Sequence, residues 1–364
     1  MGKRILFLVN HDVVIYNFRL EVVERFLADG HEVHISSPYG ERIDDLIALG
    51  AKFHEIKMDR HGMNPKEELR ILNEYKKLMK EVKPDICLGY TIKPNIYGAI
   101  AARGRHIPFV ANITGLGTAV ENPGLSQKIS ILLYKYAFCG IQRVFFQNEE
   151  NRQFFVNHGI AVRVGELLPG SGVNLERYPS REYPEDGVIK FAFISRIMKE
   201  KGIDQYLEAA EEIRKLYGDT VEFHVCGFCE PEYNGKLQEM HDSGVVNYHG
   251  MIRDVTDFMG EMHCIIHPTY YPEGISNVLL EACATGRPII TTDRSGCREV
   301  VENGVNGYMI PCQDTKALVE AIEKFLRLGW GEKKQFGLNA RRIVEERFDR
   351  QIVVQKYVEE VKRA

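Results

Sequence analysis

At 364 residues the chain exceeds what one hydrophobic core ordinarily serves, and 44% apolar with 27% charged content describes a folded, water-facing protein of two domains. A net charge of −4 excludes a general nucleic-acid binder, which carries a basic footprint. Residues 1–170 hold 22 Lys/Arg against 19 Asp/Glu and residues 171–364 hold 25 against 32, so the front half is slightly basic, an excess no larger than an ordinary solvated face.

The start, MGKRILFLVN, has a basic flank, but its apolar run stops at Asn10 and His11, short of a signal-peptide core, and it reads as a first buried strand. HEVHISSP, AKFHEIKM, DICLGY, IPFVANIT and RVFFQN follow, separated by helical periodicity such as RLEVVERFLADG and PKEELRILNEYKKLMKEV. LSQKISILLYKYAFCG (Leu125–Gly140) is apolar with Lys128 and Lys135 interspersed. It reads as an interior helix or as a basic amphipathic helix on a membrane surface. LPGSGVNLERYPSREYPEDG (Leu168–Gly187) is the natural linker, rich in Gly, Pro and charge. A second series then opens with VIKFAFIS, VEFHVCG, VVNYHG, CIIHP, PIITTD and GYMIP, and the chain closes on an amphipathic tail, RQIVVQKYVEEVKRA. The alternation predicts an α/β protein of two doubly wound, Rossmann-like halves facing across a cleft, residues 1–170 and 171–348. No segment approaches the ~18 to 20 apolar residues that span a bilayer. Eight cysteines without an export signal imply free thiols in a reducing, cytoplasmic compartment.

In such halves ligands bind beyond the C-terminal ends of the strands. Arg196 and Lys201 follow KFAFIS directly, just before Gly202 and a helical pattern. A guanidinium fork and an ammonium beside backbone N–H groups make a diphosphate clamp. YPEGISNVLLEACATGRPII (Tyr271–Ile290) follows CIIHP. Gly274, Ile275, Ser276 and Asn277 should form the turn and helix entrance there, their N–H groups facing an anion, with Ser276 and Asn277 suited to the cap. Glu273 just outside can accept from sugar hydroxyls, and Glu281 within the helix can take both hydroxyls of a ribose. Otherwise Glu281 needs a buried partner, since a lone carboxylate on an apolar face is costly.

SRIMKEKGID, PEGISNVLLEACATGRPIITTD, GCREVVENGVNGYMI and PGSGVNLERY together resemble glycosyltransferase family 4, retaining enzymes of the GT-B fold. The resemblance implies a nucleotide-sugar donor held mainly by the C-terminal half. Arg196 and Lys201 would hold the diphosphate, Glu281 the ribose, Glu273 the donor sugar, and the backbone near Met251 and Ile252 the base. Glu299 is expected to be structural. The final helix, about 349–364, would cross back onto the first domain. The chemistry implied is front-face transfer, in which the leaving diphosphate takes the acceptor proton and no metal is required.

GYTIKPNIYGAIAARGRHIPFVANITGLG (Gly89–Gly117) resembles enzymes that extend glycans on undecaprenyl diphosphate, several of them N-acetylhexosamine transferases. That implies a UDP-sugar donor carrying an N-acetylhexosamine or galactose, a lipid-linked acceptor and peripheral membrane contact. Lys93, Asn95, Thr114 and the run Asn10–Tyr16, with His11 and Tyr16, follow predicted strands and are expected to face the cleft. Where many relatives carry a histidine in a Val-His-Gly type sequence, this chain has Thr114, so that histidine's role does not carry over; His11 is a candidate replacement. A UDP-sugar epimerase of the same fold and a non-catalytic two-domain sugar-binding protein are the competing readings.

Three features are set aside. CGFC (Cys226–Cys229) matches a redox spacing but has no second pair to complete a zinc site. His263 and His267 flank one strand roughly 13 Å apart, too far for one metal. Gly170–Gly172 lacks a dinucleotide fingerprint.

Overall fold

The computed structural model describes residues 2–59, 64–116 and 124–364. Its chain begins β1 (Arg4–Leu8), α1 (Asp12–Phe18), α2 (Leu20–Ala28), β2 (Glu32–Ser37), α3 (Ile43–Ala48), β3 (Lys52–Glu55) and α4 (Pro65–Val82). Then come β4 (Ile86–Tyr90), α5 (Ile92–Arg103), β5 (Phe109–Ile113), α6 (Leu125–Ala137), β6 (Arg143–Phe146), α7 (Glu149–Asn157) and β7 (Gly165–Leu167). The second series runs β8 (Ile189–Ile194), α8 (Ile203–Tyr217), β9 (Val221–Cys226), α9 (Asn234–Asp242), β10 (Asn247–Tyr248) and α10 (Thr256–Gly260). It continues with β11 (Cys264–His267), α11 (Asn277–Ala284), β12 (Ile289–Thr292), β13 (Gly307–Ile310), α12 (Thr315–Arg327), α13 (Trp330–Arg347) and α14 (Arg350–Arg363).

Packing groups Met1–Ser171, Pro272–Gly274 and Arg350–Ala364 in one unit, and Gly172–Tyr271 with Ile275–Asp349 in the other. The first holds a parallel sheet ordered β3-β2-β1-β4-β5-β6-β7; the second holds one ordered β10-β9-β8-β11-β12-β13. Central strands β4 and β11 are buried along their whole length, as strands covered on both faces must be, and this makes them continuous apolar runs in the sequence. Strand order reverses between β1 and β4 and again between β8 and β11. The chain leaves such neighbouring strands in opposite directions, which opens a crevice at their C-terminal ends.

Local chemistry sets the helix limits. α4 starts where Asn64 accepts from the Lys66 N–H at 3.1 Å and Pro65 takes the first position, and it ends on Lys83 in the left-handed region, φ 51°. α14 lies on α2 and adds Val353, Val354, Tyr357, Val358 and Val361 to the first unit's core. The short strand β7 was not among the sequence expectations; it has three residues, GEL, and is defined by its pairing with β6.

Candidate functional site

In the second unit, the reversal between β8 and β11 is flanked by Arg196 on one side and Thr269–Tyr271 on the other. Tyr270 N–H donates to the Glu200 carbonyl at 2.9 Å and the Thr269 hydroxyl donates to the same carbonyl at 3.2 Å, so the two loops are tied together. Gly202 sits at φ 79°, and a Cβ there would stand 2.1 Å from the Pro268 carbonyl oxygen; only glycine allows this approach. Exposed Arg196 and buried Lys201 share the Tyr271 ring, at 5.6 Å and 5.0 Å from its centroid. Two cations are thereby held at one crevice mouth, where a ring face offsets part of their repulsion.

α11 begins with Ser276 as its capping residue in backbone terms, but the Ser276 side chain makes no capping bond. Its N–H donates to the Gly296 carbonyl at 2.8 Å, so Ser276, expected to present its amide to an anion, does not. Helical geometry still leaves the amides of Asn277, Val278 and Leu279 without a carbonyl on their own helix. The Asn277 Oδ1 is buried without a partner among the described residues, and Ile275 is packed in the core. Glu281 is half-buried, between apolar neighbours, and takes the hydroxyl of Tyr178. Burial, then the Glu281 charge, push the Tyr178 phenol up. Tyr178 is placed by a turn in which Asn174 Oδ1 accepts from Glu176 and Arg177 N–H, at 3.0 and 2.9 Å. Sequence reasoning missed Tyr178, although PGSGVNLERY contains both it and the asparagine that begins the turn.

Met251 is exposed and Ile252 half-buried, in the irregular segment after β10; Ile252 N–H donates to the Cys226 thiol. Burial raises the Cys226 and Cys229 thiols, the opposite of what a reactive pair needs. Glu299 accepts from Gly296 N–H at 2.7 Å, a turn-stabilising role. His263 Nδ1 accepts from Lys190 N–H at 3.1 Å, also structural. Among the described residues only, no helix is long and apolar enough to cross a membrane.

In the first unit, Glu273 and Gly274 pack with residues 1–171, although they were expected within the C-terminal half. The reason is Asn148, whose Nδ2 donates to the Glu273 and Gly274 carbonyls at 3.2 Å each while its Oδ1 caps α7 on Asn151 N–H at 2.9 Å. A Cβ on Gly274 would stand 2.7 Å from the Thr114 carbonyl oxygen, so Thr114, at the end of β5, lies against this loop. Lys93 does not stand open as a cleft cation: it is paired with Glu68 at 2.7 Å and donates to the Asp59 carbonyl. Asn95 was also expected to face the cleft. It is buried, donating to the Asn112 carbonyl at 2.8 Å, because its place on α5 turns it toward β4 and β5. His11 is the N-cap of α1, with Nδ1 3.2 Å from Val13 N and 2.7 Å from Asp12 Oδ1. Nδ1 accepts from the Val13 N–H, and in the other tautomer it would instead donate to Asp12; either use is local. The Tyr16 ring lies under Arg42 at 4.6 Å, and Asn10 Oδ1 is buried without a partner among the described residues. Gly117, which ends the stretch that carries the acceptor resemblance, lies outside the described residues.

Thr91, at the C-terminal end of β4, adopts φ 68°, ψ 168°, a region natural only to glycine. Its hydroxyl is buried without a partner among the described residues. No feature of the sequence marks it.

Two parallel sheets of seven and six strands, each with a reversal of strand order, have the architecture of the GT-B fold. Residues 4–148 match the family described as "Glycosyl transferase 4-like" and residues 189–327 match "Glycosyl transferases group 1". The chain belongs to these group 1, family-4-like glycosyltransferases. It is 26% identical over 374 residues, 98% of this chain and 97% of the other, to the N,N'-diacetylbacillosaminyl-diphospho-undecaprenol alpha-1,3-N-acetylgalactosaminyltransferase of Campylobacter jejuni. A glycosyltransferase of Rickettsia africae shares the fold at TM-score 0.84 and 20% identity, covering 100% of this chain and 98% of that one. HepE of Anabaena in complex with UDP does so at 0.81 and 17%, with full coverage of both chains.

Proposed function

We propose that this glycosyltransferase moves an N-acetylhexosamine or galactose, with retention, from a UDP-sugar to a polyprenyl-diphosphate-linked glycan in the assembly of bacterial surface polysaccharide or glycan. It would do so at the cytoplasmic face of the membrane. The observation that carries the reading is the pair of cations, Arg196 and Lys201, on one aromatic ring at the sheet reversal. The Campylobacter relative, alike along almost the whole chain, acts on a diphospho-undecaprenol glycan, and HepE binds UDP; both support the reading.

In this mechanism Arg196, Lys201 and the first-turn amides of α11 stabilise charge growing on the leaving diphosphate. Glu281, steadied by Tyr178, holds the ribose; Glu273 holds the donor sugar; the backbone at Met251 and Ile252 meets the base. The bond from the anomeric carbon to the diphosphate oxygen breaks while one to the acceptor oxygen forms on the same face. The acceptor proton passes to the leaving diphosphate. The two cations supply the charge a metal would, so turnover should continue in EDTA.

The test is nucleotide release with UDP-, GDP- and ADP-sugars, in EDTA, with and without a detergent extract of polyprenyl-linked glycans. UDP release only with the extract supports the proposal. Release that ignores the extract would instead indicate hydrolysis or an epimerase-like reaction, and no release with any donor would indicate a binding protein.

A further inference from the structure

The side of α6 that faces solvent is apolar. Leu125, Ile129, Leu132 and Tyr136 are 76%, 41%, 65% and 60% exposed, and their spacing of four, three and four residues puts them on one stripe. Ser130, Tyr134 and Ala137 occupy the opposite, buried side. A helix that needed only to cover its sheet would reverse this pattern outside, and four adjacent large apolar side chains on a water-facing surface mark a contact site.

Charge identifies the occupant. Exposed Lys128 and Lys135 lie along one flank of the stripe. Arg103 of α5 lies 4.3 Å from the Tyr136 ring centroid and donates to the Tyr136 carbonyl, and Arg105 and His106 beyond it are exposed. Between residues 103 and 136 the sequence carries Arg103, Arg105, Lys128 and Lys135 against Glu121 alone, in a chain whose net charge is −4. A second copy docked about a two-fold axis would set these cations against themselves. An anionic bilayer complements both parts, taking the apolar side chains below the headgroups and the lysines at their level.

We infer that α6 is a peripheral docking helix that lies in the surface of an anionic lipid bilayer, with Leu125, Ile129, Leu132 and Tyr136 inserted and Lys128 and Lys135 at the phosphates. This does not depend on which sugar is transferred, or on whether one is.

The full chain is sedimented with phosphatidylcholine vesicles with and without phosphatidylglycerol. Binding is expected only with phosphatidylglycerol and should weaken with salt. Replacing Lys128 and Lys135 by glutamine should weaken it about thirtyfold, roughly fivefold for each lysine near an anionic surface. The double variant Ile129→Ser, Leu132→Ser, at exposed positions, should lose at least as much while keeping its circular dichroism spectrum. The lysine pair leaves the helix's packing intact and tests the surface even if the serine variant folds poorly. No binding by the unsubstituted chain, or equal binding by the lysine variant, overturns the inference. So does a dimer of the unsubstituted chain that the same substitutions disperse.

Discussion

Tyr178 and Thr91 are two residues whose roles the sequence does not mark, and each is set by geometry. Tyr178 gives Glu281 a hydrogen bond, so Tyr178→Phe removes about 1 kcal/mol from the group proposed to read the ribose. KM for the UDP-sugar should rise about fivefold while kcat changes little; a fall confined to kcat would separate Glu281 from donor binding. Thr91 is strained by its backbone, which costs about 1 to 3 kcal/mol, whereas glycine carries an entropic cost of roughly 0.5 to 1 kcal/mol. Thr91→Gly should therefore raise the denaturation midpoint by about 1 kcal/mol of stability, and a loss would mean that the side chain holds a compensating contact. Arg196 and Lys201 are legible in sequence because a charge directly after a buried strand has few places to go. Asn95 is misread by the same rule: three residues into α5, helical rotation turns it inward.

At the scale of elements, long buried strands and α4 announce themselves by composition and caps, whereas β7 exists only through its partner and carries no local signal. One pairing between neighbouring segments recurs in both units. Glu32, His34 and His54 join β2 to β3, with His34 Nδ1 2.8 Å from His54 Nε2 and His34 Nε2 2.7 Å from Glu32. In the second unit Glu222 and His224 of β9 meet His249, with His224 2.9 Å from His249 and 3.2 Å from Glu222. Two imidazoles at such a distance share one proton, since a second would set like charges in contact. Burial, then the His249 charge, push His224 down to about 4, against the opposing pull of Glu222; burial also lowers His34, His54 and His249. A depressed histidine leaves the unfolded chain binding more protons between its ordinary value of 6.5 and about 4, so stability is complete above that window and falls with acidification through it. Near pH 5 the His224 pair should have lost about 2 kcal/mol relative to neutral pH. Urea denaturation of the chain and of a His224→Gln, His249→Gln variant checks this: the variant should lose less on acidification, and parallel losses would place the sensitivity elsewhere.

For the whole molecule, the C-terminal helix α14 is the feature that composition least explains. Its amphipathic pattern shows that it packs, not where. The partners are supplied by charges buried in the first unit: Arg350 with Glu21 at 2.8 Å, Glu360 with Arg143 at 3.1 Å, and the Tyr357 hydroxyl between Arg19, 3.1 Å away, and Asn112. Arg19 is buried, with the rings of Tyr90 and Tyr357 5.5 and 5.6 Å from its guanidinium, so its positive charge rests on those rings and on few hydrogen bonds. Tyr357→Phe keeps the ring and deletes the hydroxyl, leaving the Arg19 Nε donor without that acceptor at a cost of about 2 to 3 kcal/mol, the range for a hydrogen bond to a charged group. Because every partner of Tyr357 named above belongs to the first unit, the loss should be local. In hydrogen exchange followed by peptide mass analysis, β1, β4, β5 and α14 should lose protection while β8 to β13 keep theirs. An equal loss across β8 to β13 would show instead that the chain unfolds as one body, with α14 serving the stability of the whole rather than of the first sheet.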